Sequence, residues 1–224
     1  AGSGRVPAAF NHLVGLKPTK GRWSTDGLIP ACRTIDCITV FTDKLSDARL
    51  VDEVIAGFDS EDPYSKPLAD RSIQPTRIGV PRRDQRAWFG DSQSEYLYDQ
   101  AIARLGTDAE IIELDISPLN EAASLLYNGP WVAERTAAIE DLLASNPGAI
   151  HETVRQITEA GLNKKAVDVF KGMYRLAELK RQADGLWAEV DLLAFPTTGT
   201  TYRVAELLVA PIALNSNLGF YTNF

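Results

Sequence analysis

Apolar residues recur along the first part of this chain with two periods, and each period predicts a type of secondary structure. Residues 35–41 alternate apolar and small polar side chains, many of them β-branched, which predicts a strand. Apolar residues at helical spacing follow, so we expect a helix from Ser46, as N-cap, to about Ala56. The polar, proline-containing stretch 58–74 shows no periodicity and is interpreted as a surface crossover.

The next part of the chain has the pattern of a strand-helix-strand unit. A strand is predicted at 77–81, a helix capped by Ser92 or Ser94 and stopped at Gly106, and a second strand at 110–116. Two strands joined through a helix are normally parallel, with a right-handed crossover.

Helical patterns dominate the remainder. The break at Gly129-Pro130 is expected to separate a helix at 118–126 from one that begins at Pro130 and runs to about 144. Further helices are predicted at 150–159 and from 163 to about 189, and a buried strand at 190–195, ended by Pro196. The pattern therefore indicates an α/β protein with a mixed β-sheet covered by many α-helices.

Composition limits the class of function. The 224 residues are 45% hydrophobic and 24% charged, with a net charge of −7 and no basic stripe, so nucleic acid is not an expected partner. No apolar stretch reaches bilayer length, and the start does not look like an export signal, so a cytoplasmic location without membrane contact is expected. We expect Cys32 and Cys37 to be reduced packing residues, the four tryptophans to pack internally, and neither a metal nor another cofactor to bind.

The first 30 residues are dense in glycine and proline and contain the candidate nucleophile, Ser3. A serine between two glycines is most often only a turn, and its hydroxyl needs a base to become reactive. Neither His12 nor His151 stands at a spacing that suggests a Ser-His mechanism, and both are expected at the surface.

The longer string AGSGRVPAAFNHLVGLKPTKGRWSTDGLIPACRTIDCITVFT resembles the amidase signature family in several ordered motif pieces. The resemblance implies that Ser3 is the catalytic nucleophile and that backbone N–H groups at Ala1 and Gly2 contribute to the oxyanion hole. It further implies a base made of a second serine, held through a cis peptide bond and relayed to a lysine, both encoded before Ala1. Arg5 matches a family arginine, for which a structural ion pair is favoured over substrate contact.

Within this family the chain is most similar to the allophanate hydrolase branch, through the segments ACRTIDC, LLYNGPWVAERTAAI and PIALNSNLGFYTNF. By that resemblance Tyr127 and Arg135 bind the carboxylate of a small anionic substrate, allophanate. A guanidinium can pair both oxygens of such a carboxylate. Spacing alone favours two unrelated surface residues, because eight residues of continuous helix would separate them by about 12 Å. The break at Gly129-Pro130 could bring them together.

The resemblance thus implies an amidohydrolase that cleaves allophanate to ammonia and carbon dioxide in urea or s-triazine breakdown. Residues 1–224 are expected to be a partial amidase domain that lacks the N-terminal part with the lysine and the cis-serine, and also the extreme C-terminus. The partners would be that missing N-terminal segment and a second copy in a homodimer. Two alternatives stay open. One is another amidase-signature amidase or a glutamine amidotransferase component, and the other is a non-catalytic truncated or cleaved fragment.

Overall fold

The computed structural model describes residues 2–69 and 74–224, which form two compact units. The first unit contains the residues up to 69 together with 131–163, and the second contains 74–130 together with 164–224. In chain order the helices and strands are α1 (Val6–Phe10), β1 (Val14–Leu16), β2 (Val40–Thr42), α2 (Leu45–Ile55), β3 (Arg77–Pro81), α3 (Ser92–Leu105), β4 (Glu110–Leu114), α4 (Ser117–Leu125), α5 (Trp131–Ala137), α6 (Glu140–Ser145), α7 (Glu152–Glu159), α8 (Ala166–Leu186), β5 (Leu192–Leu193), α9 (Val204–Val209) and α10 (Pro211–Leu218).

The first unit contains an antiparallel pair of short strands, β1 and β2, with Val14 opposite Thr42. Helix α2 packs on this pair and buries Ala48 completely. The strand predicted at 35–41 is wrong over most of its length, because only its last two residues belong to β2. Strand β1 was not predicted, since three residues carry too little alternation to be seen and their pairing is supplied by a distant strand.

The second unit is built on a parallel sheet in the order β4-β3-β5. The central strand β3 is buried from Ile78 to Pro81, as expected for a parallel strand with neighbours on both sides. An ion pair between Arg77 and Asp191, 2.9 Å long, joins the start of β3 to the residue before β5. The predicted strand-helix-strand unit with parallel strands is confirmed.

Several predicted boundaries were wrong for identifiable reasons. Asp91, not Ser92 or Ser94, caps α3, because its carboxylate accepts the Ser94 N–H at 2.9 Å. Lys44, not Ser46, stands at the N-cap of α2 without a side-chain cap. The helix predicted from Pro130 to about 144 is two helices, α5 and α6, and the strand predicted at 190–195 is regular only over two residues. The predicted helix end at Gly106 is confirmed.

Two short helices, α9 and α10, lie in a segment for which no element was predicted. Across residues 2–69 and 74–224, every helix is either too short or too polar to cross a bilayer.

Helix α5 is held tightly inside the first unit. Thr136, buried at 4% exposure, places its hydroxyl 2.5 Å from the Thr158 carbonyl at the end of α7. Gly161 lies against the same helix, and a Cβ there would stand 2.7 Å from the Val132 carbonyl oxygen and 2.8 Å from the Ala133 Cα. The close approach of these segments therefore requires glycine at 161.

Gly161→Ala is expected to lower the free energy of unfolding by about 1–3 kcal/mol, the usual cost of overpacking a tight interior. The matched control is Gly185→Ala in α8, where a Cβ would meet no atom within 4 Å. That substitution should be neutral or stabilising by up to about 1 kcal/mol, because alanine is the better helix former. Urea denaturation of both variants measures the difference, and equal stabilities would contradict the close packing at 161.

Candidate active site

The candidate nucleophile lies on a tight, well-supported turn. Residues Gly2–Gly4 form one turn of 3-10 helix, closed by a 3.0 Å hydrogen bond from the Arg5 N–H to the Gly2 carbonyl. Ser3 is exposed, whereas Gly4 beside it is buried. The turn therefore presents the serine side chain outward from a packed backbone.

Two glycines allow this turn to pack closely. A Cβ on Gly4 would stand 2.8 Å from the Thr39 Cβ, just before β2. A Cβ on Gly15 in β1 would stand 2.7 Å from the Gly4 carbonyl oxygen and 2.8 Å from the Ala8 Cβ. Strand β1, which the sequence pattern did not reveal, thus lies directly against the serine turn and supports it.

The oxyanion-hole prediction is only partly covered by the structure. Gly2 is half-buried beside Ser3, while Ala1 lies outside the described residues. Arg5 immediately precedes α1, and burial lowers the pKa of its guanidinium. A half-buried arginine two residues from the serine is compatible with the structural role expected for it, which stays a prediction.

Tyr127 belongs to the second unit, in the turn that follows α4. The predicted break is confirmed, because α4 ends at Leu125 and α5 begins only at Trp131. Lys164 donates to the Asn128 carbonyl at 3.1 Å and so ties this turn to the segment before α8. The tyrosine is 40% exposed, so a small ligand can reach its side chain.

Arg135 belongs to the first unit, in the last turn of α5, and is half-buried. Its positive charge lowers the pKa of the Cys32 thiol, but burial of the thiol and its contact with Glu134 raise that pKa by more. The predicted approach of Tyr127 to Arg135 concerns side chains of different units and stays a prediction.

Beside Arg135, Glu134 bonds to the loop that contains the ACRTIDC motif. Its carboxylate accepts the Thr34 N–H at 2.7 Å, the Thr34 hydroxyl at 2.6 Å and the Cys32 thiol at 3.1 Å. Burial, followed by this contact with Glu134, raises the pKa of the Cys32 thiol to about 12. Cys32 is therefore a neutral packing residue at physiological pH, in agreement with the sequence analysis.

Sequence reasoning did not identify Glu134 or Thr34 as important residues. Their only signal was membership of two segments, ACRTIDC and LLYNGPWVAERTAAI, that carry the family resemblance. They are separated by 100 residues, and no periodic pattern links such distant positions.

Other expectations have mixed outcomes. Both cysteines are free, and His12 and His151 are exposed, as predicted. Trp23 and Trp88 are buried, but Trp187 is 52% exposed, so the expectation that it packs internally was wrong. Trp187 stands directly after the last residue of α8.

Comparison with known proteins defines the class. The family model for amidases matches residues 1–218 of the 224. This chain therefore belongs to the amidase family.

More specific similarities exist within that family. The chain is 38% identical over 230 residues to a urea amidolyase of Lachancea kluyveri. The alignment covers 100% of the chain and 13% of that protein. It is similar, at 40% identity and a TM-score of 0.95, to the solved allophanate hydrolase of Kluyveromyces lactis, covering 100% of the chain and 37% of that structure. It is also 31% identical over 202 residues to a glutamyl-tRNA(Gln) amidotransferase component of Chlorobium luteolum, covering 84% of the chain and 37% of that protein. The chain thus spans well under half of each of these relatives.

Proposed function

We propose that this chain is part of the amidase domain of an enzyme that hydrolyses allophanate to ammonia and carbon dioxide. The observation that carries the proposal is the similarity to the K. lactis allophanate hydrolase over the whole chain, at a TM-score of 0.95. Similarity to a urea amidolyase supports the same assignment and favours a role in urea breakdown.

Ser3 is proposed as the nucleophile. Its oxygen forms a bond to the substrate carbonyl carbon, the C–N bond breaks, and the nitrogen leaves with a proton as ammonia. Water then cleaves the acyl ester, which restores the Ser3 hydroxyl and releases the rest of the substrate as an N-carboxylated carbamic acid. Carbamic acids lose carbon dioxide, so this product breaks down to two molecules of carbon dioxide and the second ammonia. The exposure of Ser3 on a turn whose backbone is packed supports this role, because a fixed nucleophile needs little reorganisation to reach the reactive geometry.

Backbone N–H groups at Ala1 and Gly2 are proposed to stabilise the oxyanion of the tetrahedral intermediate, where each donor contributes about 10²-fold or more in rate. The base is proposed to be the second serine and lysine of the family, outside this chain. A Ser-Ser-Lys triad would then be completed by the upstream part of the amidase domain.

Arg135 and Tyr127 are proposed to bind the substrate carboxylate. The half-buried position of Arg135 supports this, since a guanidinium partly withdrawn from water pairs a carboxylate more strongly than an exposed one. The exposed Tyr127 would add a hydroxyl donor. A homodimer is proposed on the family resemblance alone, and a cytoplasmic location on the sequence expectation.

A glutamine-hydrolysing component of an amidotransferase is the second candidate, favoured by the 31% identity to the C. luteolum protein. The two candidate functions differ in the groups of the substrate that the site must bind. Glutamine has an α-amino group and would require an acidic partner for it, whereas allophanate requires only the carboxylate clamp.

Ammonia release from allophanate, glutamine and simple amides tests the proposal. The intact protein is expected to prefer allophanate, and the isolated 224-residue chain to turn over negligibly until the upstream segment is added. Preference for glutamine would favour the second candidate. Full activity of the isolated chain would refute the proposed base, and no activity in the intact protein would favour a non-catalytic role.

A further inference from the structure

Helix α5, which carries Arg135, has only seven residues, too few to hold a defined direction by its own hydrogen bonds. The direction of the Arg135 side chain must therefore be set by contacts between α5 and its surroundings. Two such contacts come from the residues on either side of Arg135 in the chain, Glu134 and Thr136.

On one side, Glu134 fixes α5 to the loop of residues 31–36. The carboxylate uses both oxygens, since Oε1 accepts the Thr34 N–H and Oε2 accepts the Thr34 hydroxyl and the Cys32 thiol. Three hydrogen bonds to one carboxylate, with donors at two loop positions, define both the position and the orientation of Glu134. Hydrogen bonds to a charged acceptor are also stronger than neutral ones.

The loop is itself a rigid anchor. Asp36 accepts the N–H groups of Ala31 at 2.9 Å and of Cys32 at 3.0 Å. Lys20 donates to the carbonyl groups of Arg33 at 3.0 Å and Asp36 at 3.1 Å. These contacts hold the loop independently of Glu134. The bonds between the loop and Glu134 therefore fix the position of helix α5.

On the other side, the Thr136 hydroxyl lies 2.5 Å from the Thr158 carbonyl, and Gly161 lets that segment approach α5 closely. Successive residues of an α-helix point about 100° apart, so the side chains of 134 and 136 leave the axis in roughly opposite directions with 135 between them. Contacts fixed on both sides prevent α5 from rotating about its axis, and Arg135 keeps one direction.

We infer that Glu134 is a positioning residue for Arg135: its bonds to Thr34 and Cys32, opposite the Thr136 contact, hold the guanidinium where the substrate carboxylate binds. The inference rests on the proposed function, in which Arg135 pairs that carboxylate. The inference gives the Glu134 carboxylate a role in substrate specificity, although that carboxylate does not itself contact the anionic substrate. Misplacement of a clamping group by about 1 Å can cost on the order of 10²-fold.

The test is steady-state hydrolysis of allophanate by the intact enzyme that contains this chain. Glu134→Ala is expected to raise KM for allophanate about 10-fold or more while kcat changes less than about 3-fold, because the serine chemistry is untouched. Glu134→Gln keeps an acceptor for the Thr34 N–H and should recover KM to within about 3-fold of the unmodified enzyme. Glu140→Ala, at an exposed glutamate that begins α6, is the matched control and should leave both constants unchanged.

A double variant separates positioning from a general structural effect. If Glu134 acts through Arg135, Glu134→Ala combined with Arg135→Gln should have the KM of Arg135→Gln alone, since coupled residues are non-additive. Fully additive effects would overturn the positioning role. Should Glu134→Ala fail to fold, Thr34→Val removes the hydroxyl donor on the loop side and should raise KM in the same direction.

The outcomes also separate this inference from the function on which it rests. A raised KM in Arg135→Gln with unchanged KM in Glu134→Ala or Thr34→Val overturns the positioning role and leaves the clamp intact. An unchanged KM in Arg135→Gln overturns the clamp itself and the positioning role with it.

Discussion

Ser3→Ala in the intact enzyme is expected to lower kcat for allophanate by at least about 10³-fold, because no acyl intermediate can form without the hydroxyl. The fold should be unaffected, since Ser3 is exposed and alanine needs no more space. Binding of allophanate should persist, because the proposed clamp residues are unchanged. Single-turnover assays and equilibrium binding measure the two effects separately.

The matched control for Ser3→Ala is Ser145→Ala. Ser145 is an exposed serine whose hydroxyl donates within its own helix, to the Asp141 carbonyl at 2.6 Å. That variant should keep the full rate. Retention of the full rate by Ser3→Ala itself would remove Ser3 from the mechanism and reduce the family relationship to one of fold.

Arg135→Lys is expected to raise KM for allophanate about 10- to 100-fold with little change in kcat. Lysine keeps the positive charge but cannot pair both oxygens of a carboxylate, and a charge-assisted hydrogen bond contributes about 1.5–3 kcal/mol. The substitution therefore separates the effect of bidentate pairing by the guanidinium from the effect of its positive charge. Steady-state kinetics at fixed ionic strength measure it, because salt screens the residual attraction.

Arg181→Lys is the control for the arginine substitution, since Arg181 is exposed in α8 and its replacement should leave KM unchanged. Equal KM values for Arg135→Lys and the unmodified enzyme would exclude a bidentate clamp at this position. Tyr127 would then be the remaining candidate for contact with the carboxylate.

Several elements of the fold could be predicted because a short stretch of neighbouring residues specifies each of them. Helix α3 with its stop at Gly106, the break at Gly129-Pro130 and the buried strand β3 each follow from apolar spacing, glycine or proline over a dozen residues or fewer. The α/β class and the parallel pairing of β3 with β4 follow from the order of these elements. The candidate nucleophile was found by motif resemblance, because Gly-Ser-Gly alone is no more than a turn.

Features that depend on distant partners were missed. Strand β1 exists through its pairing with β2 and its contact with the serine turn, and the two-residue β5 exists through its pairing with β3. The caps of α2 and α3 were misplaced by one to three residues, because several adjacent polar side chains can compete for the same N–H groups and packing decides between them.

The sequence by itself determined the class of fold, the longer helices such as α2, α3 and α8, and the identity of the residues proposed for catalysis and carboxylate binding, since short-range spacing and motif order encode these. The tertiary structure alone decided how two of them are supported: Gly15 lies against the Ser3 turn, and Glu134 joins the helix of Arg135 to a loop 100 residues earlier. Such contacts produce no periodic pattern in the sequence, because each depends on a single residue that the folded backbone brings close to a distant segment. Glu134 contributes a side chain to its contact, whereas Gly15 allows a close approach because it has none.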